Sequence, residues 1–115
     1  MEDRIKLSIL LDYYKELLTQ KQRDIMELYF NEDLSLAEIS ELTKTSRQAI
    51  YDIIKRCTKT LFDYENKLKL MERINNVIKA KKHVMSEIDR IKDKVEDKDI
   101  EVALENLSNY ISDSI

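Results

Sequence analysis

Glycine and proline are both absent from the 115 residues, where average usage would place about eight and six. Without glycine the backbone has no inexpensive left-handed positions, which excludes tight β-hairpins as a main building device. Cysteine occurs once, at Cys57, so no disulfide can close within the chain, as expected for a reducing cytoplasm. Histidine also occurs once. His83 therefore has no Cys/His cluster to join as a metal ligand and reads as an exposed polar side chain. No long apolar run is present, and the opening Met1-Glu2-Asp3-Arg4 is acidic, so neither a signal peptide nor membrane insertion is expected. Nucleophile–base pairs, glycine-rich phosphate loops and paired acidic sites are missing too. Nothing in the sequence points to an enzyme, a cofactor or a small-molecule substrate. What remains is a chain with 37% charged residues and apolar residues at helical spacing, which predicts an all-α protein of the cytoplasm.

The spacing predicts a helix over Ile5–Leu18 with apolar residues on so much of its surface that contacts on two sides are expected. Thr19 with Gln22 forms a capping box, opening a helix that bears Ile25, Met26, Leu28 and Tyr29 and ends at Asn31-Glu32-Asp33. Ser35 with Glu38 forms a second capping box before a short helix, Leu36 to Leu42, with Leu36, Ile39 and Leu42 on one face. Thr43-Lys44-Thr45 interrupts the apolar period, and Ser46 can cap a further helix. In that helix Ile50, Ile54, Cys57 and Leu61 recur along one face. Short helix, short turn and longer helix make the helix-turn-helix that sets its second helix in a DNA major groove. Such turns usually hold a glycine where this chain has Lys44. A non-glycine residue at positive φ costs about 1 kcal/mol, so a looser turn is expected.

By this pattern the chain divides into a helix-turn-helix domain, 1–62, and a helical extension, 63–115. Beyond Leu61 the apolar spacing continues through Tyr64, Leu68, Met71, Ile74 and Ile78. The helix either runs on or breaks near Glu65-Asn66 or Asn75-Asn76. Apolar spacing resumes at Met85, Ile88, Ile91 and Val95, and Asp97 or Asp99 can cap a last helix bearing Ile100, Ala103, Leu104, Leu107 and Ile111. A one-faced tail must bury its stripe, either by folding back on the bundle or against a second copy. A homodimer is favoured. Tyr13, Tyr14, Tyr29, Tyr64 and Tyr110 lie in apolar patterns and are expected in the core or an interface.

Charge is distributed unevenly behind the formal −3. Residues 1–43 hold five Lys+Arg against ten Asp+Glu, residues 44–82 eleven against four, and residues 83–115 four against nine. A basic centre of this kind can neutralise phosphates or pair with its acidic flanks. If Ile50 and Ile54 face the core, Arg47, Gln48, Tyr51, Asp52 and Lys55 project outward. Arg can fork onto guanine, Gln onto adenine, and Tyr or Lys onto phosphate. The same residue types also fill an ordinary solvated helix face. Asp52 would repel phosphate unless it accepts from a cytosine amino group or pairs with Arg56.

Leu18-Thr19-Gln20-Lys21-Gln22-Arg23 followed by SLAEISELTKTSRQAIYDIIKR resembles the fourth region of bacterial sigma factors, the helix-turn-helix that reads promoter DNA. The closer resemblance is to the YlxM family of small bacterial proteins. It is carried by Leu10-Leu11-Asp12-Tyr13-Tyr14, Leu17-Leu18-Thr19, Ser46-Arg47-Gln48-Ala49 and Asp63-Tyr64-Glu65-Asn66-Lys67-Leu68. It implies an all-helical, dimeric protein associated with the signal recognition particle, as a regulatory accessory binding its RNA, its GTPase or both. A sequence-specific regulator on duplex DNA and a protein-interaction module without nucleic-acid binding are the competing readings. The deep, narrow major groove of A-form RNA does not admit a helix. RNA binding is therefore expected to tolerate changes at Gln48 and to depend on Lys67, Lys69, Lys81 and Lys82; DNA readout is expected to show the reverse.

Overall fold

The computed structural model describes residues 3–114; Met1 and Glu2 of the acidic opening lie outside them. The described residues form six α-helices in succession: α1 (Arg4–Tyr14), α2 (Gln20–Phe30), α3 (Leu36–Thr43), α4 (Arg47–Leu68), α5 (Leu70–Lys92) and α6 (Lys98–Ser114). Among the described residues there is no strand. The chain forms two compact units, Met1–Met71 and Glu72–Ile115.

In the first unit α1, α2 and α3 all pack on α4. Ile50, Ile54, Cys57 and Leu61 form the buried stripe of α4, as their spacing predicts. They meet Leu7, Leu10, Leu11 and Tyr14 of α1, Ile25, Met26 and Phe30 of α2, and Ile39 of α3. Each such side chain contributes roughly 1.5–3 kcal/mol of transfer free energy. The caps fall where the polar residues place them. Thr19 and Gln22 close one capping box and Ser35 and Glu38 another, while the Ser46 side chain accepts from the Ala49 N–H at 3.1 Å. In the second box the Ser35 backbone N–H, followed by the Ser35 side chain, holds the Glu38 carboxyl below its ordinary pKa.

Two expectations for this unit are corrected. The first helix ends at Tyr14, and Lys15–Leu17 form a 3-10 turn. As expected it has neighbours on two sides, α2 and α4, while Ile5 (78% exposed), Ile9 and, beyond the helix, Leu17 are open. Leu42 is also exposed, at 64%, while Ile39 is fully buried. Steps of three residues each fall about 60° short of a full turn. From Leu36 to Leu42 the drift carries the last side chain off the face that α4 covers.

The break after α4 lies at Lys69, in left-handed geometry with φ 55° and ψ 33°, and at neither asparagine-containing site. Its cause is a tertiary contact. The Tyr14 hydroxyl donates to Glu65 Oε1 at 2.6 Å and accepts from the Leu70 N–H at 3.0 Å; the Met71 N–H donates to the same carboxylate oxygen at 3.0 Å. Two N–H groups in the first turn of α5, which have no partner within their own helix, are thereby satisfied by side chains. The carboxylate also sits at the positive end of the helix dipole.

In the second unit α5 and α6 run antiparallel. The Lys81 ammonium lies 3.5 Å from the Ser112 carbonyl, Ser108 Oγ contacts Met85 Sδ at 3.5 Å, and Lys92 pairs with Glu105. Asp97 accepts from the Asp99 N–H at 2.8 Å and so caps α6. Ile88 is buried, while Val77, Val84 and Ile91, spaced seven apart, remain exposed together with Ile100, Leu107 and Tyr110. At 72% exposure Tyr110 is no core residue of this chain, because its position on α6 faces away from α5.

Replacing Tyr14 by Phe removes one donor and one acceptor from a buried network, so Tyr14→Phe is expected to lower unfolding free energy by about 1–3 kcal/mol at neutral pH. Burial, then the hydrogen bond to Glu65, holds the Tyr14 hydroxyl above its ordinary pKa of 10.0. Its contribution is fully present below the unfolded pKa and is lost as pH rises through the raised folded value. Denaturant titration across alkaline pH should show this loss in the natural chain and not in the Phe variant.

Candidate nucleic-acid interface

The helix-turn-helix is assembled at the turn between α3 and α4. Lys44 adopts the left-handed conformation, φ 54° and ψ 40°, and its N–H donates to the Ser40 carbonyl. The Thr45 N–H donates to the same carbonyl at 3.2 Å. Three hydroxyls brace the segment: Ser40 Oγ donates to the Thr45 carbonyl, Thr43 Oγ1 to the Ile39 carbonyl at 2.7 Å, and Thr45 Oγ1 to the Thr43 carbonyl at 3.2 Å. The turn is therefore tied down rather than loose. Polar side chains at its flanks offset the strain of a left-handed lysine.

Beyond the turn the first two turns of α4 present Arg47, Gln48, Tyr51, Asp52 and Lys55, all exposed. Core packing of the adjoining stripe, Ile50 and Ile54, fixes this orientation. Gln48 Nε2 donates to Asp52 Oδ1 at 3.0 Å. Asp52 thus takes its partner one turn N-terminal, toward Gln48, instead of Arg56. Arg47, Tyr51 and Lys55 lie at four-residue steps, so a cation, a ring and a second cation follow one another along a single line.

The four remaining lysines are spread. Lys67 and Lys69 lie at the C-terminal end of α4 in the first unit, and both are exposed. Lys81 and Lys82 belong to α5 in the second unit; Lys81 is half-buried and reaches α6, while Lys82 is exposed. Cys57 is buried, and that burial raises its thiol pKa, which suits a packing role. His83 is exposed.

A cleft that the sequence pattern does not announce opens beside this line. Tyr29, Leu36, Tyr51, Ile54, Lys55 and Thr58 enclose about 280 Å3. The Thr58 hydroxyl oxygen is buried and has no hydrogen-bond partner. Tyr51, Lys55 and Thr58 share a helix face by spacing alone, but the contributions of α2 and α3 arise only from tertiary packing.

Comparison with known proteins agrees with this geometry. Residues 1–104 match the family described as "Putative helix-turn-helix protein, YlxM / p13 like". A UPF0122 protein of Clostridium novyi (strain NT) is 60% identical over 111 residues, 96% of this chain and 96% of the relative. A UPF0122 protein of Clostridium kluyveri (strain NBRC 12016) is 56% identical over 115 residues, the whole of both chains. Another, of Clostridium botulinum (strain Alaska E43 / Type E3), is 50% identical over 111 residues, 95% of this chain and 99% of the relative. The chain belongs to the YlxM / p13-like helix-turn-helix family. Among the described residues no helix is long and apolar enough to cross a membrane.

Because Ser46 holds the first turn of α4, Ser46→Ala is expected to lower stability by about 1 kcal/mol. Faster amide exchange should be confined largely to the Arg47–Ala49 turn. Unchanged exchange there would show that the turn is held by something other than its cap.

Proposed function

We propose that this YlxM / p13-like family member is a cytoplasmic accessory of the signal recognition particle pathway that docks on the particle's RNA, with the targeting GTPase as a further partner in the same assembly. The observation that supports this reading is the succession of exposed cations along the basic 44–82 segment, from Arg47 and Lys55 on α4 to Lys67, Lys69 and Lys82 further along the sequence. Basic side chains on an exposed helix release condensed counterions when they meet phosphates, a sequence-independent gain that suits a folded RNA. The acidic segments on either side would turn away other polyanions and narrow the choice of partner.

Duplex DNA is the second reading, favoured by the helix-turn-helix and the exposure of its second helix. One feature weighs against it: the Gln48 amide, the natural adenine reader, is engaged by Asp52. In either case the chain would work as a homodimer joined through its second unit. Val77, Val84 and Ile91 repeat at the seven-residue interval of a helix–helix seam and are left exposed by α6.

Titration of the protein with signal recognition particle RNA, mixed duplex DNA and the targeting GTPase at two salt concentrations tests the reading. RNA binding should dominate and fall steeply with salt. Replacing Lys67, Lys69, Lys81 and Lys82 by Ala should flatten the log–log slope by about 0.7–0.9 for each phosphate that is no longer neutralised. Duplex binding abolished by Arg47→Ala and Gln48→Ala together would make the chain a transcription regulator. Binding to the GTPase alone would make the helix-turn-helix a protein scaffold. Separately, Val84→Glu with Ile91→Glu should convert a dimer to a folded monomer in sedimentation equilibrium; a natural chain that sediments as a monomer removes the dimer.

A further inference from the structure

The cleft beside α4 has a composition that the docking of phosphates on a helix surface does not require. Two of its walls are aromatic. Tyr29 is fixed in place before any guest arrives, because the Arg4 guanidinium lies over its ring at 4.6 Å and Phe30 meets it edge-on at 4.9 Å. Tyr51 is 48% exposed, so the ring has an open surface beside the cleft. Leu36 and Ile54 supply apolar lining, and Lys55 brings a cation. The volume, about 280 Å3, sits just below the roughly 300–1,000 Å3 of sites for drug-sized ligands, which suits a single planar ring system.

Thr58 adds a second, independent feature. Its buried hydroxyl is without a partner, a state that costs free energy until some group bonds to it. Thr58 is one of the residues that line the cleft, which places this hydroxyl beside a guest. Aromatic walls, an unspent hydroxyl and an adjacent ammonium are what a protein uses to hold a base that has left its stack, with the neighbouring phosphate neutralised. An aliphatic side chain of a protein partner would need neither the hydroxyl nor the cation.

We propose that this cleft receives one unpaired, unstacked nucleobase of the bound RNA. Tyr51 stacks on the base, the Thr58 hydroxyl bonds to its edge, and Lys55 and Arg47 contact the flanking phosphates. The inference rests on the RNA reading above and deepens it: the partner is an RNA with a bulged or looped-out nucleotide beside a helix, and a continuous duplex is the wrong shape.

The test uses the full chain and three RNA hairpins of one sequence, with a single bulged adenosine, with an abasic site at the bulge, and with the bulge deleted. The natural chain should bind the bulged hairpin about tenfold more tightly than either of the others, the scale of one base–aromatic stack. Tyr51→Ala should abolish that preference, leaving the three hairpins bound equally, and Tyr51→Phe should keep it. Thr58→Val, close to isosteric, should reduce it severalfold while leaving the thermal midpoint near that of the natural chain. Equal affinity for all three hairpins overturns the base site and leaves RNA docking standing. No binding to any of them overturns both.

Discussion

The side-chain knot of Tyr14 and Glu65 decides where the long helical segment stops and starts again. Nothing in the local sequence forces a break there: Lys67-Leu68-Lys69-Leu70 contains neither glycine nor proline. A break leaves the first N–H groups of the next helix without partners. It is tolerable only because a hydroxyl from α1 and a carboxylate from α4 are waiting for the Leu70 and Met71 N–H groups. Tyr14 also belongs to the apolar core and stacks at an angle with Tyr64, ring centres 5.9 Å apart. One residue therefore couples packing of the first helix to termination of the fourth.

That termination leaves α4 as a helix with two distinct jobs. One stripe is consumed by the core, where Ile50, Ile54, Cys57 and Leu61 are all nearly inaccessible. The exposed side carries the cations and the ring proposed to meet nucleic acid. Because α1, α2 and α3 each grip the inner stripe, the outer line cannot rotate without undoing the core. A recognition surface held this way is pre-organised, and binding need not meet the entropic cost of ordering it.

Much of the first unit was legible in sequence because its signals are local. Thr19/Gln22, Ser35/Glu38 and Ser46 announce helix starts through bonds spanning three residues, and the α4 stripe follows from helical phase. The outward set Arg47, Gln48, Tyr51 and Lys55 follows from the same phase. What was illegible is tertiary. The break at Lys69 depends on Tyr14, more than fifty residues earlier, and the expected breaks near Asn66 and Asn75 relied on asparagine alone. The aromatic cleft needs Tyr29 and Leu36 from other helices. Leu42 was misplaced because repeated three-residue steps look periodic in sequence while drifting around a helix. The tightness of the turn at Lys44 came from hydroxyls whose bonding partners only the folded backbone supplies.

The recognition surface and the base site proposed beside it both turn on nucleic acid meeting the outer face of α4. Backbone amide shifts recorded by NMR during titration with signal recognition particle RNA test that most directly. The largest perturbations are expected at Arg47, Gln48, Tyr51 and Lys55, extending to Thr58 and Tyr29, with core residues such as Ile39 and Cys57 little changed. Perturbations confined to α5 and α6, or none at saturating RNA, would contradict it.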